Sequence, residues 1–113
     1  MSLFNKSPEF EKDLKRLSKK YRSLGDDLAT LEQVLLVSPT GIGKNFTIIH
    51  HSEKIRLVKT RLACKSLRDR SMRVIYAYHE DTITFVYIEL YFKGEKENED
   101  KERIGWYLKQ HSE

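Results

Sequence analysis

Lysine and arginine side chains are concentrated in one stretch of this chain, where they could bind a phosphate group or help to cleave its ester. Residues 54–73 hold eight Lys or Arg and a single acid, Asp69, although the whole chain of 113 residues has a net charge of only +4. Because like charges repel one another, such a concentration needs a compensating gain. We therefore expect this stretch to face a polyanion.

The spacing of these cations within predicted strands indicates which of them act together. Side chains alternate between the two faces of a strand, so Lys59 and Arg61 project from the same face, roughly 7 Å apart. Arg73 begins the next predicted strand, and Lys93 ends the strand after that. If these strands are neighbours in the sheet, the four cations converge on one concave patch. If the last strand alternates regularly, the side that carries Lys93 also carries Tyr87, Glu89 and Tyr91.

Such a patch has the groups needed to bind RNA and to cleave it. RNA carries its own nucleophile, the 2′-hydroxyl, which an enzyme must align with the phosphorus and deprotonate. The enzyme must also stabilise the charged phosphorane and protonate the leaving 5′-oxygen. Arginine is a permanent charge, and a lysine crowded by other cations has a lowered pKa that suits proton transfer. Tyrosine rings beside the charges could stack on bases. This chemistry requires no metal and no other cofactor.

The same residues also allow interpretations without catalysis. A basic sheet face is often only a solvated surface. Tyr87 and Tyr91 could pack beneath a C-terminal helix instead of stacking on bases, and Glu89 could be an ion-pair partner of a neighbouring arginine. The acidic run 95–102 is typical of the solvated start of a helix, where acids suit the helix dipole.

Composition excludes several other classes of protein. The single cysteine, Cys64, cannot form an internal disulfide and suits a reducing cytosol. No apolar run approaches the roughly 18 residues needed to span a bilayer, and the N-terminus lacks the pattern of a secretion signal. The four histidines do not have the spacing of a metal site. We expect a cytoplasmic protein that binds no metal and does not insert into a membrane.

The apolar spacing ahead of Pro39 predicts a helical hairpin. The first helix begins at Ser7 and Pro8, a capping residue and a first-turn proline, and ends at Gly25. Its apolar residues recur at intervals of four, three and four: Phe10, Leu14, Leu17 and Tyr21. Asp26 or Asp27 caps a second helix, and a link this short makes the two helices antiparallel.

From residue 45 onward the apolar residues alternate with polar ones, which is typical of strands. The alternation predicts four strands, at residues 45–50, 54–64, 72–80 and 84–93, and a short strand is possible near Phe4. A helix follows, from Glu97 to Gln110. The sequence thus predicts one α+β domain over residues 1–113, with an N-terminal helical hairpin packed on a twisted antiparallel sheet of four to five strands.

Four segments of the chain resemble the RelE/ParE superfamily of bacterial type II toxins. They are FNKSPEFEKDLKRLSKKY at the start, VKTRLACKS and MRVIYAY in the middle, and IELYFKGEKENEDKERI near the end. The order of the predicted elements also agrees over nearly the whole chain. For RelE-like members the resemblance implies an endoribonuclease that enters the ribosomal A site and cleaves mRNA through its 2′-hydroxyl. It also implies a cognate antitoxin whose chain wraps around the toxin and inhibits it, in a toxin–antitoxin hetero-oligomer.

The resemblance assigns site residues in this chain. The K-x-R pair of one central strand is Lys59, a base or phosphate-orienting cation, and Arg61, a phosphate clamp. Arg73 opens the next strand and stabilises the phosphorane, and Lys93 ends the last strand as an acid or second clamp. Two further candidates are Glu89 and Tyr91. Ribosomal RNA would be gripped without sequence preference by Arg56, Lys65, Arg68 and Arg70.

The chain also departs from the RelE pattern, and rival functions remain open at this stage. Some family members have a tyrosine shortly after the last basic position, whereas residues 95–100 contain no aromatic side chain. Lysine in place of arginine at position 93 cannot form the bidentate hydrogen bonds to phosphate that a guanidinium forms. One rival is a ParE-like toxin that inhibits DNA gyrase without any chemistry. The other is a non-enzymatic module whose basic face docks an acidic protein segment.

Overall fold

The computed structural model of the protein describes residues 3–111, which form a mixed sheet and helices. In chain order the elements are β1 (Phe4–Lys6), α1 (Pro8–Ser18), α2 (Leu24–Val37), β2 (Phe46–His51), β3 (Ile55–Cys64), β4 (Asp69–His79), β5 (Thr84–Phe92) and α3 (Lys101–Gln110). The predicted α+β class is confirmed, as is the short strand near Phe4. None of the helices in residues 3–111 is long and apolar enough to cross a membrane.

All five strands belong to one sheet, in the order β1-β5-β4-β3-β2. Strands β2 to β5 form the predicted antiparallel meander, but β1 runs parallel to β5, with Phe4 opposite Phe85. The prediction of a wholly antiparallel sheet was therefore wrong. A three-residue strand is too short for its side-chain pattern to indicate its direction, which is seen only in its pairing with β5.

Two helix boundaries differ from those predicted near residue 20. The Ser7 cap is confirmed, since its hydroxyl accepts a hydrogen bond from the Phe10 amide at 3.1 Å. However, α1 ends at Ser18, and Gly25 lies in the first turn of α2, whose capping position is Ser23. The Ser23 hydroxyl donates to Asp27 at 2.7 Å and accepts from the Ser66 amide at 2.9 Å. Contacts to the β3–β4 turn thus fix this helix start, and local sequence does not show them.

The last helix begins four residues later than predicted. Its capping residue is Asp100, whose side chain accepts a hydrogen bond from the Arg103 amide at 3.1 Å. Much of the acidic run therefore precedes α3 as an irregular segment, which we call the 93–100 segment. This difference matters because the segment lies beside the candidate site described below.

The sheet has two unlike faces. The helix-covered face packs against α1 and α2, and its strand residues include Val58, Val74, Tyr76, Phe85 and Tyr87. The open face is covered only in part, by α3, and its apolar portion contains Leu57, Ile75, Ala77 and Ile88 against Tyr107. The predicted alternation of β3 and β4 is confirmed by this division.

The alternation predicted for β5 is inverted before Glu89. Phe85 and Tyr87 lie on the helix-covered face, and Val86 and Ile88 lie on the open face. The pairing of β5 with β4 shifts register between Glu89 and Tyr87, so that Ile88 is an extra residue in a β-bulge. Tyr87 consequently faces α1 rather than the side of Glu89 and Tyr91: its ring stacks on Phe10 at 4.9 Å. Its hydroxyl donates to Glu32 at 3.0 Å. The prediction that Tyr87 lies with the cations was wrong.

Candidate functional site

The four cations predicted to act together line one hollow at the end of the open face that α3 leaves uncovered. This basic hollow has a volume of about 210 Å³ and is lined by Lys44, Asn45, Thr47, Lys59, Arg61, Arg73 and Lys93. Five of its seven lining side chains are cationic and the other two are neutral hydrogen-bonding groups. The structure therefore brings Lys59, Arg61, Arg73 and Lys93 together, while their chemical roles stay predictions.

The strand register explains why these side chains meet. Arg61 on β3 lies directly opposite Arg73 on β4, and Arg73 lies opposite Tyr91 on β5. Lys59 is two residues before Arg61 and therefore shares its face, while the Lys93 amide bonds the Ser71 carbonyl at 2.9 Å, next to this row. Like charges directly opposite each other destabilise a sheet. The Arg61–Arg73 pair is thus unfavourable for folding by itself and favourable for binding an anion.

The guanidinium of Arg73 is held by the backbone. Arg73 is only 7% exposed, and its Nη1 donates to the carbonyl oxygens of Arg70 and, at 3.2 Å, Met72. Burial lowers the pKa of Arg73, and the nearby charge of Arg61 lowers it further, yet a guanidinium still stays protonated at neutral pH. Arg73 is therefore a fixed positive charge that needs little rearrangement to receive an anion.

Lys59 has a different electrostatic environment from the one that we predicted. Its Nζ donates to Oε1 of Glu99 in the 93–100 segment at 2.9 Å. This hydrogen bond raises the pKa of Lys59 and outweighs the effect of burial, which lowers it. The expectation that crowding by other cations would lower the pKa was wrong, because a carboxylate contacts Lys59 directly. Lys59 is an ammonium at neutral pH, which suits a phosphate-orienting cation and not a base.

Glu99 is ionised in the same pair. Burial is the largest single influence and would raise the pKa of Glu99. The hydrogen bond from Lys59, a backbone hydrogen bond and the charges of Lys59 and Lys101 together outweigh burial and hold the pKa below its usual value. Both side chains are shielded, with exposed fractions of 26% for Lys59 and 15% for Glu99. An ion pair this sheltered is screened by solvent less than a surface pair.

Sequence analysis missed Lys44, Asn45 and Thr47, which line the same hollow. Residues 38–45 form the loop before β2, where Gly41 and Gly43 have positive φ angles of 81° and 82°. A side chain at Gly41 would also collide with the Phe46 ring. The glycine pair was a usable signal of a specially shaped loop, but the sequence does not show that the loop ends beside Arg61.

Two contacts fix this loop against the sheet. The buried Tyr76 hydroxyl donates to the Pro39 carbonyl at 2.8 Å, and the Arg61 amide donates to the Asn45 carbonyl at 3.0 Å. The loop therefore reaches the hollow through tertiary contacts with β3 and β4.

The two secondary candidates, Glu89 and Tyr91, lie beneath the 93–100 segment and do not line the hollow. Glu89 is 1% exposed, accepts a hydrogen bond from the Asp100 amide at 2.8 Å and pairs with Lys96. Its ion-pair partner is thus a lysine and not an arginine. Burial of the Tyr91 hydroxyl raises its pKa, and the neighbouring Lys59 partly offsets this shift. Both residues support the segment that carries Glu99.

Three of the four residues predicted to bind ribosomal RNA lie at or next to the β3–β4 turn, and Arg56 lies near the other end of β3. Arg70 lies closest to the site, in a groove of about 270 Å³ that also contains Arg61 and Asn45. Lys65 and Arg68 are in the turn between β3 and β4, where Arg68 has a positive φ of 58°. Arg56 is near the other end of β3 and forms a salt bridge with Glu80 at 3.2 Å.

Comparison with known proteins adds no family assignment. No model of a known protein family matches this chain, and a search of curated proteins found no match. We therefore infer the function of this chain from the geometry and charge of the basic hollow.

Proposed function

We propose that this protein is a metal-independent endoribonuclease, a RelE-like toxin that cleaves mRNA on the ribosome. The observation that supports the proposal most strongly is the basic hollow. It gathers five cationic side chains, and no carboxylate is among the side chains that line it. Two of the cations are arginines on directly opposed strand positions, an arrangement that favours a bound anion over stability.

The size of the hollow suits a single anionic group, such as one phosphodiester of an RNA chain, and not a whole small molecule. Pockets that enclose whole small molecules measure roughly 300–1,000 Å³, whereas this hollow measures about 210 Å³. It offers room for a phosphodiester and part of a ribose. A strand of RNA would place one phosphate in the hollow and continue across the surface at both ends.

The lining residues suit the separate steps of phosphodiester cleavage. Arg73, held by backbone carbonyls, stabilises the charge of the phosphorane, and Arg61 clamps a non-bridging oxygen. Lys93 is exposed at the rim and donates a proton to the leaving 5′-oxygen or acts as a second clamp. Lys59 orients the phosphate as an ammonium. The 2′-oxygen attacks the phosphorus and the 5′-oxygen leaves, so the products are a 2′,3′-cyclic phosphate and a 5′-hydroxyl.

The family resemblance supplies the biological setting of this proposal. A cognate antitoxin would bind the toxin in the cytoplasm and keep it from ribosomes. Arg70, in the groove beside Arg61, would contact ribosomal RNA or the mRNA backbone next to the cleaved bond. We also propose that α1 and α2 form the antiparallel hairpin expected of the family, since five residues join them and both pack on the helix-covered face.

Cleavage of mRNA on programmed ribosomes tests the proposal. The wild type should cut a message in the A site and leave a 2′,3′-cyclic phosphate. A single 2′-deoxy nucleotide at the cut position should abolish cleavage. Arg61→Ala and Arg73→Ala should each slow the reaction by about 100-fold or more, as expected when a group that stabilises transition-state charge is removed.

The control variant is Lys19→Ala, which removes an exposed lysine at the end of α1, outside the hollow. Its cleavage rate should equal that of the wild type. Because Arg73 is buried, the thermal unfolding of each variant is measured as well. Intact message with the wild type, or equal rates for Arg61→Ala and Lys19→Ala, would refute the proposed function.

A further inference from the structure

The proposed reaction needs a group that accepts the 2′-hydroxyl proton, and the cations of the hollow do not supply one. Arginines do not deprotonate in proteins, and the direct contact with Glu99 keeps Lys59 protonated. Asn45 and Thr47 are neutral and are not proton acceptors near neutral pH. Carboxylates and histidines are the side chains that most often act as general bases, and none of those within residues 3–111 lines the hollow. A carboxylate beside the lining residues is therefore the better candidate.

Glu99 is a carboxylate in position for that task. Of the salt bridges found within residues 3–111, the pair between Glu99 and Lys59 is the one that includes a side chain lining the hollow. The 2.9 Å contact to Lys59 Nζ places Glu99 directly next to one of the groups that would hold the phosphate. In a conformation ready for in-line attack, the 2′-oxygen is about 3–3.5 Å from the phosphorus. A ribose beside a phosphate in the hollow can thus present its 2′-hydroxyl near Lys59 and Glu99.

The segment that carries Glu99 is fastened on the side of α3. The next residue, Asp100, donates its amide to the buried Glu89 at 2.8 Å and caps α3 with its side chain. Lys96 pairs with the same Glu89 carboxylate. Glu99 is thereby held in place between an anchored segment and Lys59, as a group that acts on a bound substrate should be.

We propose that Glu99 is the general base of the reaction, an inference that rests on the proposed endoribonuclease function. The O2′–H bond breaks and its proton passes to the Glu99 carboxylate while the 2′-oxygen forms a bond to phosphorus. The P–O5′ bond then breaks, and the 5′-oxygen takes a proton from the Lys93 ammonium. Glu99 afterwards loses its proton to solvent and Lys93 regains one. Lys59 orients the carboxylate and the phosphate.

The contact between Glu99 and Lys59 could also inhibit the reaction, and this alternative makes the inference testable. If Glu99 only competed with phosphate for Lys59, removing its charge would strengthen RNA binding and speed cleavage. If Glu99 is the base, removing its charge slows cleavage even where binding improves. The anchoring by Glu89 favours the base, because a competing group would have to move away when RNA binds.

Single-turnover cleavage on programmed ribosomes separates the two roles. Glu99→Gln keeps the size of the side chain and should slow cleavage by about 100-fold or more, the usual contribution of a general base. Binding of the protein to ribosomes carrying a 2′-deoxy-substituted message should stay equal or become tighter. Glu99→Asp, which retains the carboxylate, should recover part of the lost rate.

The matched control is Glu97→Gln, which removes an exposed acid of the same segment. It should cleave at the wild-type rate with a wild-type melting temperature. Cleavage by Glu99→Gln at or above the wild-type rate, or an equal loss in both variants, would overturn the role of Glu99 and leave the endoribonuclease function standing. A wild type that does not cleave would instead remove the proposed function, and this inference with it.

Discussion

The helix-covered face of the sheet and the basic hollow on its other face follow different physical rules. The covered face is apolar and aromatic: the Tyr87 ring lies 4.9 Å from that of Phe10, and the Phe85 ring lies 4.6 Å from that of Phe4. The hollow is polar and carries five charges of one sign. Burial of apolar surface accounts for the first arrangement. The like-charge pair Arg61–Arg73 in the second does not stabilise the sheet, and this is the reason that we propose an anion as the ligand of the hollow.

The covered face and the hollow also differ in how their polar groups are paired. On the covered face the hydroxyls of Tyr76 and Tyr87 each find an acceptor, Pro39 and Glu32 respectively. Burial raises the pKa of both tyrosines, so they stay neutral hydrogen-bond donors. In the hollow, by contrast, Arg61 and Arg73 oppose each other. A bound anion would relieve their repulsion.

The largest expected change in stability comes from the covered face, where Phe10 is fully buried. Phe10→Ala should lower the free energy of unfolding by about 3–5 kcal/mol, as for other large-to-small core substitutions. Chemical denaturation measures the change. The control is Leu36→Ala, because Leu36 is 51% exposed. Its effect should be within the small range of ordinary surface substitutions. Similar losses in the two variants would show that α1 contributes little to the core.

Substitution in the hollow should separate binding from stability. Arg61→Ala should weaken binding of a 2′-deoxy-substituted RNA by at least about tenfold, since a phosphate contact is lost. Its free energy of unfolding should stay constant or rise by up to about 1 kcal/mol, because a like-charge pair disappears. Fluorescence anisotropy and denaturation measure the two effects. Loss of stability without loss of binding would reverse the comparison between the faces.

A smaller effect should follow from loosening the loop that carries Lys44 and Asn45. Tyr76→Phe deletes the hydrogen bond to Pro39. The free energy of unfolding should fall by about 1 kcal/mol, the net contribution of a typical hydrogen bond. RNA affinity should fall less than in Arg61→Ala. Tyr78→Phe is the control, because within residues 3–111 its hydroxyl has no such bond. If both variants behave alike, the Tyr76–Pro39 bond does not position the loop.

The smallest predicted effect concerns pH and the end of the open face that α3 covers. Burial lowers the pKa of His79, and the neighbouring His111 lowers it further while Asp81 opposes them. His79 also bonds the Tyr107 hydroxyl, and burial raises the pKa of that tyrosine to about 12. A histidine with a depressed pKa binds fewer protons when folded, so its contribution is complete above about pH 6.5 and is lost as the pH falls through the lowered value.

Denaturation at pH 7.5 and at pH 5 measures this dependence. The free energy of unfolding should decrease on acidification, and His79→Gln should reduce that decrease. His51→Gln, at an exposed position on β2, should leave it unchanged. An undiminished decrease in His79→Gln would show that α3 docks on the sheet without involving this histidine.

The sequence predicted those features that depend on local pattern. The α+β class, the Ser7 cap and the alternation of β3 and β4 follow from spacing and residue type. The two-residue interval between Lys59 and Arg61 led to the expectation of one cationic patch. These features could be predicted because each depends on residues close together in the chain.

The remaining features depend on contacts between distant residues. The bulge at Ile88 reverses the side on which Tyr87 lies, yet it leaves an unbroken run of apolar and aromatic residues that reads as a regular strand. Glu99 contacts Lys59 across 40 residues of sequence, and its acidic surroundings are equally typical of a helix start. Lys44 and Asn45 reach the hollow only because their loop is bonded to β3 and β4.

We propose that the hollow holds a phosphate of RNA between Arg61 and Arg73. NMR of the arginine Nε–Hε groups, during titration with an oligoribonucleotide made resistant by 2′-deoxy substitution, observes this directly. We expect the Arg61 and Arg73 signals to shift together and saturate, while those of Arg16 on α1 and Arg56 near the other end of β3 change little. Unmoved Arg61 and Arg73 signals, or equal shifts at all four arginines, would contradict it.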